Sequence, residues 1–151
     1  MSIGFYPGSF NPWHQGHWDV LEKSLKVFDK VVVAFGKNPE KFDPDQAADW
    51  WAAGEEIGVE FPQVEIIEFD GLLVDAVAKY ETDNSVKINA IIRGLRNGND
   101  LQYEMNQQYW NEDLGLKCPV VFFITDRSVM HYSSSAFRSL SRVKAIPHPR
   151  A

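Results

Sequence analysis

The segment Lys30 to Phe35 reads Lys-Val-Val-Val-Ala-Phe, an almost unbroken run of apolar, largely β-branched residues. A strand with one wet face alternates apolar with polar residues. A strand that does not alternate needs cover on both faces, which is the situation inside a parallel sheet flanked by helices. Four other runs have strand character: Ile3 to Tyr6, Val64 to Phe69, Lys87 to Ile92 and Val120 to Ile124. Between them apolar residues recur at helical spacing: Trp18, Leu21, Leu25 and Phe28, then Leu72, Ala76 and Tyr80, then, less regularly, Leu101, Met105 and Leu114. Strands alternating with helices predict an α/β fold, a doubly wound five-stranded parallel sheet with right-handed crossovers.

The 151 residues are read as a single domain, residues 1–151, and a hydrophobic content of 44% supplies its core. Ile146 to Ala151, with two prolines, reads as a loose tail. The single cysteine, Cys118, leaves no internal disulfide and no Cys-based zinc site, and is expected as a small hydrophobe beside a strand. The longest apolar runs, Val31 to Phe35 and Val120 to Ile124, fall far short of the ~20 residues of a membrane helix. No basic region followed by a long apolar stretch opens the chain, so a soluble cytoplasmic protein is expected. A formal net charge of -6 disfavours long nucleic acids as partners, so any phosphate is expected to be held locally.

Asp43 to Gly58 is predicted helical and carries Trp50 beside Trp51. Adjacent helical positions cannot both face a core, so one tryptophan is expected inside and the other half-covered at the surface. A subunit contact or a lid over substrate is the alternative.

Open sheets of this class bind ligands at the carboxyl ends of their strands, where the strand order reverses, so the loops after strands one and four come first. The stretch Tyr6-Pro7-Gly8-Ser9-Phe10-Asn11-Pro12-Trp13-His14-Gln15-Gly16-His17 leaves strand one and opens a helix. It offers Gly8 for a tight turn, the Ser9 hydroxyl, Gly16 for close backbone approach, and the imidazoles of His14 and His17 where free amides and the helix dipole would meet an anion. Such a pair could also ligate a metal, although no Cys or third His stands nearby, or could simply cap the helix. After strand four, Ile92 to Asp100 sets Arg93 and Arg96 around a turn containing Gly94. Guanidinium forks match phosphate oxygens, yet both arginines could pair with Asp100 or Glu104, and a mixed role is expected in which the carboxylates hold the arginines in place. After strand five, Ser133, Ser134 and Ser135 begin another helix, followed by Arg138. Serines there either cap the helix or hold phosphate. Lys41 follows strand two and could reach the same edge.

Three segments, YPGSFNPWHQGHWD at Tyr6 to Asp19, IRGLRNGNDLQYEM at Ile92 to Met105 and YSSS at Tyr132 to Ser135, resemble the bacterial phosphopantetheine adenylyltransferase family. That family belongs to the nucleotidyltransferase superfamily marked by (H/T)xGH and a C-terminal serine motif, and the resemblance spans nearly the whole chain. It implies a Rossmann-like nucleotidyltransferase fold and transfer of the adenylyl group of ATP to phosphopantetheine by in-line attack without a general base. It also implies Mg²⁺ bound with ATP and not directly by protein, and a homo-oligomer.

By the same resemblance, His17, Lys41 and Arg93 are the catalytic residues, with His17 on the α-phosphate. Ser9, Phe10, His14, Gly94, Arg96, Glu104 and Ser133 to Ser135 belong to the nucleotide site. Ser9, Lys41, Leu72, Leu73, Arg93, Gln107 and Asn111 belong to the acceptor site. His14 stands where the family usually has threonine, and SSSAFR with Arg138 looks more like nicotinamide mononucleotide adenylyltransferases and cytidylyltransferases. Gln107 replaces an apolar residue and Val129 a tryptophan. Another phosphorylated acceptor, such as nicotinamide mononucleotide or glycerol 3-phosphate, with ATP or CTP, is therefore the alternative; a non-catalytic nucleotide-binding regulator is another.

Overall fold

Val31, Val32, Val33 and Ala34 have no exposed surface, and the strand they form separates two apolar layers. The structure, a computed structural model, describes residues 1–37, 46–129 and 139. Its elements run β1 (Ile3–Gly8), α1 (Gln15–Ser24), β2 (Lys30–Lys37), α2 (Gln46–Glu60), β3 (Val64–Asp70), α3 (Leu73–Asn84), β4 (Ala90–Leu95), α4 (Gly98–Asp113) and β5 (Val120–Ile124), with a short 3-10 turn at Arg127–Val129. Because side chains alternate along a strand, Val31, Val33 and Phe35 join Trp18 and Leu21 of α1 and Trp50, Ala53 and Ile57 of α2 in one core cluster. Val32 and Ala34 join Ala76, Val77 and Tyr80 of α3 in the other.

The five strands lie in the order β3-β2-β1-β4-β5, and every pairing is parallel. From β1 the chain steps outward to β2 and β3, then returns to the other side of β1 for β4 and β5. The switch in direction falls between β1 and β4, and opens the crevice where sheets of this kind take ligands.

Several expected boundaries move. The fourth strand is Ala90–Leu95 and not Lys87 to Ile92. Before it, Asn89 ties into β1 through its side chain and backbone, and beyond it Arg93, Gly94 and Leu95 pair with Phe122, Phe123 and Ile124. Arg93 and Gly94 thus belong to the strand, not to a turn. Leu25 caps α1 and Phe28 lies beyond it, while Leu72 caps α3 from outside. In α4 the buried residue is Gln108, and Leu101 and Leu114 are exposed, so the weak apolar spacing there does not mark a core stripe. Of the paired tryptophans, Trp50 is in the core at 2% exposed, whereas Trp51, expected half-covered, is 68% exposed. No described helix is long and apolar enough to cross a membrane.

The start of α1 is closed by its own imidazoles. His14 is the N-cap: its Nδ1 accepts the Gly16 N–H at 3.1 Å, and the His17 Nδ1 accepts the His14 N–H at 3.1 Å. Two histidines thus form the reciprocal arrangement usually made by Ser or Thr with Glu. Gly16 is needed because a Cβ there would lie 2.9 Å from the His14 ring. The close approach at Gly16 is therefore made by the His14 ring, and of the amides at this helix start those of His14 and Gly16 are already bonded.

A ring nitrogen that accepts a backbone N–H must be unprotonated. Burial, with the nearby Arg96 charge adding to it, holds His14 down to about 4, and burial also holds His17 well below the ordinary histidine range, reinforced by His14 and Arg96. In the unfolded chain both protonate near pH 6.5. Between the folded and unfolded values the unfolded chain binds more protons, so stability is full above about pH 6.5 and is lost as pH falls toward about 4, for His14 on the order of 2–3 kcal/mol. Urea midpoints measured between about pH 7 and pH 4.5 are expected to fall more steeply for the wild type than for His14→Asn, which caps without titrating. Equal slopes would show that the imidazole does not titrate in the cap.

Candidate active site

The carboxyl end of β1 runs into a turn whose shape is imposed from several sides. Phe10 has a left-handed backbone, φ 42°, a conformation that costs a bulky residue about 1–3 kcal/mol unless its surroundings enforce it. Its ring is enclosed by Tyr6 at 5.1 Å, Trp13 at 4.8 Å and Phe35 at 5.3 Å between centroids, and it stands edge-on to His17 at 4.9 Å. Gly8 is part of the same packing, since a Cβ there would lie 2.7 Å from the Phe10 ring. With Phe10 only 3% exposed, its side chain builds the floor of the site, and any contact with a ligand would fall to its backbone. The preceding Ser9 carbonyl accepts the Trp50 indole N–H at 2.7 Å, a contact from α2 that the sequence did not suggest.

On this floor the imidazoles of His14 and His17 stack at 3.8 Å. The Nδ1 of each is committed to a backbone N–H, so each neutral ring carries its proton on Nε2. Both rings are thus uncharged, with their remaining N–H on Nε2. Neither Nδ1 can take up a proton without losing its backbone bond. Metal ligation by the two rings is disfavoured by the same engagement, and among the described residues no group of three or more His, Cys, Asp or Glu side chains converges as a ligand set.

The arginines flank the imidazoles from the adjacent strand. Arg93, near the end of β4, donates from Nη1 to the Pro7 carbonyl at 3.3 Å, joining β4 to the end of β1. Its Nε lies 3.3 Å from Glu104 of α4. Burial lifts the Glu104 carboxyl above the usual range, the Arg93 charge pulls it back, and Asp100 adds to the lift. Arg96 is held more firmly. Its Nε and Nη2 donate to the two carboxylate oxygens of Asp100 at 3.0 and 3.2 Å, and its backbone N–H donates to the same group at 3.0 Å. Asn97 caps α4 by accepting the Asp100 N–H at 3.0 Å, which fixes the carboxylate in turn. Burial would raise Asp100, but its bonds to Arg96 outweigh that and keep it below the usual range. Asp100 and Glu104 do pair with the arginines, and the pairs lie beside the end of β1 and the two imidazoles. The Arg96 charge reaches both imidazoles, so the first two clusters share one electrostatic site.

Gly94 lies in β4, where a Cβ would come within 2.8 Å of Val20, so its lack of side chain also lets α1 pack closely on the sheet. Glu104, Gln108 and Asn111 follow one face of α4, with Gln108 buried, Asn111 half-buried and Gln107 exposed. The expected acceptor residues divide: Ser9 and Arg93 stand at the switch point, whereas Leu72 and Leu73 stand after β3, two strands from β1. Lys41, Ser133, Ser134, Ser135 and Arg138, and the side chain of Val129, lie outside the described residues.

A second feature escaped sequence reading, although the i,i+4 spacing of Asp19 and Lys23 hinted at it. Asp19, 8% exposed, accepts the Asp126 N–H at 2.8 Å and the Lys23 ammonium at 2.9 Å, and Lys23 also donates to the Ile124 carbonyl at 2.6 Å and to Asp126 at 2.9 Å. The helix that carries the histidines is thereby braced to the chain leaving β5.

Residues 5–140 match the cytidylyltransferase-like family. The phosphopantetheine adenylyltransferase of Agrobacterium fabrum is 36% identical over 146 residues, which cover 93% of this chain and 85% of that protein. The phosphopantetheine adenylyltransferase of Allorhizobium ampelinum is 39% identical over 127 residues, covering 81% of this chain and 74% of the relative. Among solved structures, a bifunctional NMN adenylyltransferase/ADP ribose pyrophosphatase from Francisella tularensis shares the fold, with a TM-score of 0.65 at 17% identity over 98% of this chain and 44% of that one. With the histidine and arginine motifs seated at the switch point and this extent of identity, the chain belongs to the phosphopantetheine adenylyltransferase family of cytidylyltransferase-like nucleotidyltransferases.

Proposed function

We infer that this protein transfers the adenylyl group of ATP to 4'-phosphopantetheine, giving dephospho-CoA and pyrophosphate. The observation that carries the reading is the convergence of two neutral imidazoles and two carboxylate-held guanidiniums at the crevice between β1 and β4. Such a set suits a polyanion whose charge shifts during reaction and offers little to an uncharged substrate.

In the proposed step a phosphate oxygen of the acceptor bonds to the α-phosphorus of ATP while the bond to pyrophosphate breaks in line. A phosphate monoester is largely a dianion near neutral pH, its second pKa being about 6, so nothing need deprotonate it. The engaged Nδ1 of His17 agrees with a donor role and not a base. His17 donates from Nε2 to the α-phosphate, where charge grows as the bond changes partners. Arg93, held by one contact to Glu104 and one to the Pro7 carbonyl, both at 3.3 Å, is the guanidinium more easily turned toward an incoming phosphate. Arg96, gripped at two points by Asp100, is the more fixed one. Mg²⁺ carried on the triphosphate oxygens would supply further charge neutralisation, and a donor set of N–H groups complements phosphate and leaves the metal to the nucleotide's own oxygens. Lys41 and Ser133 to Ser135 are assigned to the acceptor phosphate and the β,γ-phosphates on the family pattern. A cytoplasmic setting and a homo-oligomer go with this reading. Exposed Tyr103, Tyr109, Trp110 and Leu114 on or next to α4 are apolar surface of the kind subunit contacts use.

A pyrophosphate-release assay with ATP and CTP against phosphopantetheine, nicotinamide mononucleotide and glycerol 3-phosphate tests the assignment. Turnover with ATP and phosphopantetheine is expected. Turnover with another pair alone would replace the substrate, and none with any pair would favour a nucleotide-binding regulator. His17→Ala is expected to lower kcat by roughly 10²–10³-fold with little change in the Kd for ATP, as for removal of one transition-state donor. A parallel loss in both would contradict that role. Lys41→Ala is expected to raise the KM for the acceptor well above that of the wild type with the ATP affinity kept; wild-type kinetics would remove Lys41 from the site.

A further inference from the structure

We propose that Trp50 is a positioning residue for the acceptor's phosphate, acting through its indole N–H on the Ser9 carbonyl. The proposal rests on the reading that the turn after β1 receives that phosphate. Trp50 lies in the first turns of α2, 2% exposed, with its ring 5.3 Å from Phe35 and its Nε1 2.7 Å from the Ser9 oxygen. A buried indole N–H needs an acceptor, and the acceptor it takes decides which part of the chain the bond restrains. Here the nitrogen reaches 41 residues back along the chain to the one peptide that joins Ser9 to a left-handed Phe10.

That peptide is where the turn is most easily lost. Phe10 offsets a disfavoured backbone through the packing of its ring, but a ring restrains only the chain beyond its own Cα. Rotation of the Ser9–Phe10 peptide would swing the Ser9 carbonyl and the Phe10 N–H in opposite senses while leaving the ring in place. The indole bond to the carbonyl opposes that rotation, so it fixes the direction of the Phe10 N–H in the turn after β1. The helix that supplies the bond comes directly after the segment bearing Lys41, the other residue assigned to the acceptor phosphate. Rotation of the peptide leaves the Phe10 ring, and with it the edge contact to His17, in place, so the indole bond acts on the turn and not on the imidazoles.

The test is Trp50→Phe, which keeps the aromatic ring on Phe35 and removes only the N–H, compared with Ile57→Ala, which loosens the same helix from the core and leaves the indole. For Trp50→Phe the KM for phosphopantetheine is expected to rise roughly five- to tenfold, the effect of one lost hydrogen bond to a part-buried carbonyl, while the Kd for ATP measured by calorimetry stays within about twofold of the wild type. Amide exchange of the segment containing Ser9 and Phe10 is expected to speed up in the same variant. Ile57→Ala is expected to lower thermal stability without this split. Unchanged exchange and unchanged KM in Trp50→Phe would overturn the proposal, as would the same KM split in Ile57→Ala. If the wild type does not turn over phosphopantetheine, the functional reading fails, and the exchange experiment still decides whether the indole holds the turn.

Discussion

The site depends on a hydrogen-bond exchange between two histidines and the first amides of α1. By accepting backbone N–H groups, His14 and His17 close a helix end that would otherwise need water or a ligand. The exchange also settles which nitrogen of each ring carries the proton, and so what the rings can do. A protonated imidazole would lose its place in the cap, and burial makes protonation harder still. Structure and chemistry therefore ask for the same species, a neutral ring with an N–H to give.

Around these uncharged donors the charges come in pairs. Glu104 and Asp100 accompany Arg93 and Arg96, so each of these guanidiniums has a carboxylate partner. Half-buried pairs of this kind are poor sources of stability, because desolvation offsets most of their attraction. Their value lies in geometry: in the proposed reaction a guanidinium already oriented would lose less freedom on meeting phosphate. The difference between the bidentate grip on Arg96 and the two longer contacts of Arg93, to Glu104 and to the Pro7 carbonyl, gives the two arginines different latitude within one site. Strand topology supplies the rest, since only between β1 and β4 does the direction of winding reverse and leave room above the sheet.

Where burial dominated, the sequence was easy to read. The unbroken Val31 to Phe35 run announced a strand covered on both faces, and the adjacent tryptophans divided between core and surface as helical geometry demands. Reading failed where residues serve the crevice. Arg93 and Gly94 look like a turn because strand ends at a ligand site carry polar and small residues, yet backbone pairing with β5 keeps them in the sheet. The imidazole cap could be weighed only as one option, because spacing cannot tell a ring that accepts from its own backbone from one that awaits a ligand. Trp50 was legible as core, while its bond to Ser9 depends on how α2 lies across the sheet, which no local pattern encodes.

The brace between α1 and the end of β5 bears on how chains of this kind can vary in length. Asp19 and Lys23 hold the carbonyl of Ile124 and the amide of Asp126, two points a single residue apart. The exposed contact between Lys23 and Asp126 adds little, but the bond from the Asp126 amide to a nearly buried carboxylate is costly to abandon. An insertion at Thr125 would move one anchor off its partner and tug on the helix that carries the histidines. Beyond Asp126 the same insertion would leave both anchors undisturbed, so evolutionary tinkering with loop length has a sharp border at that residue.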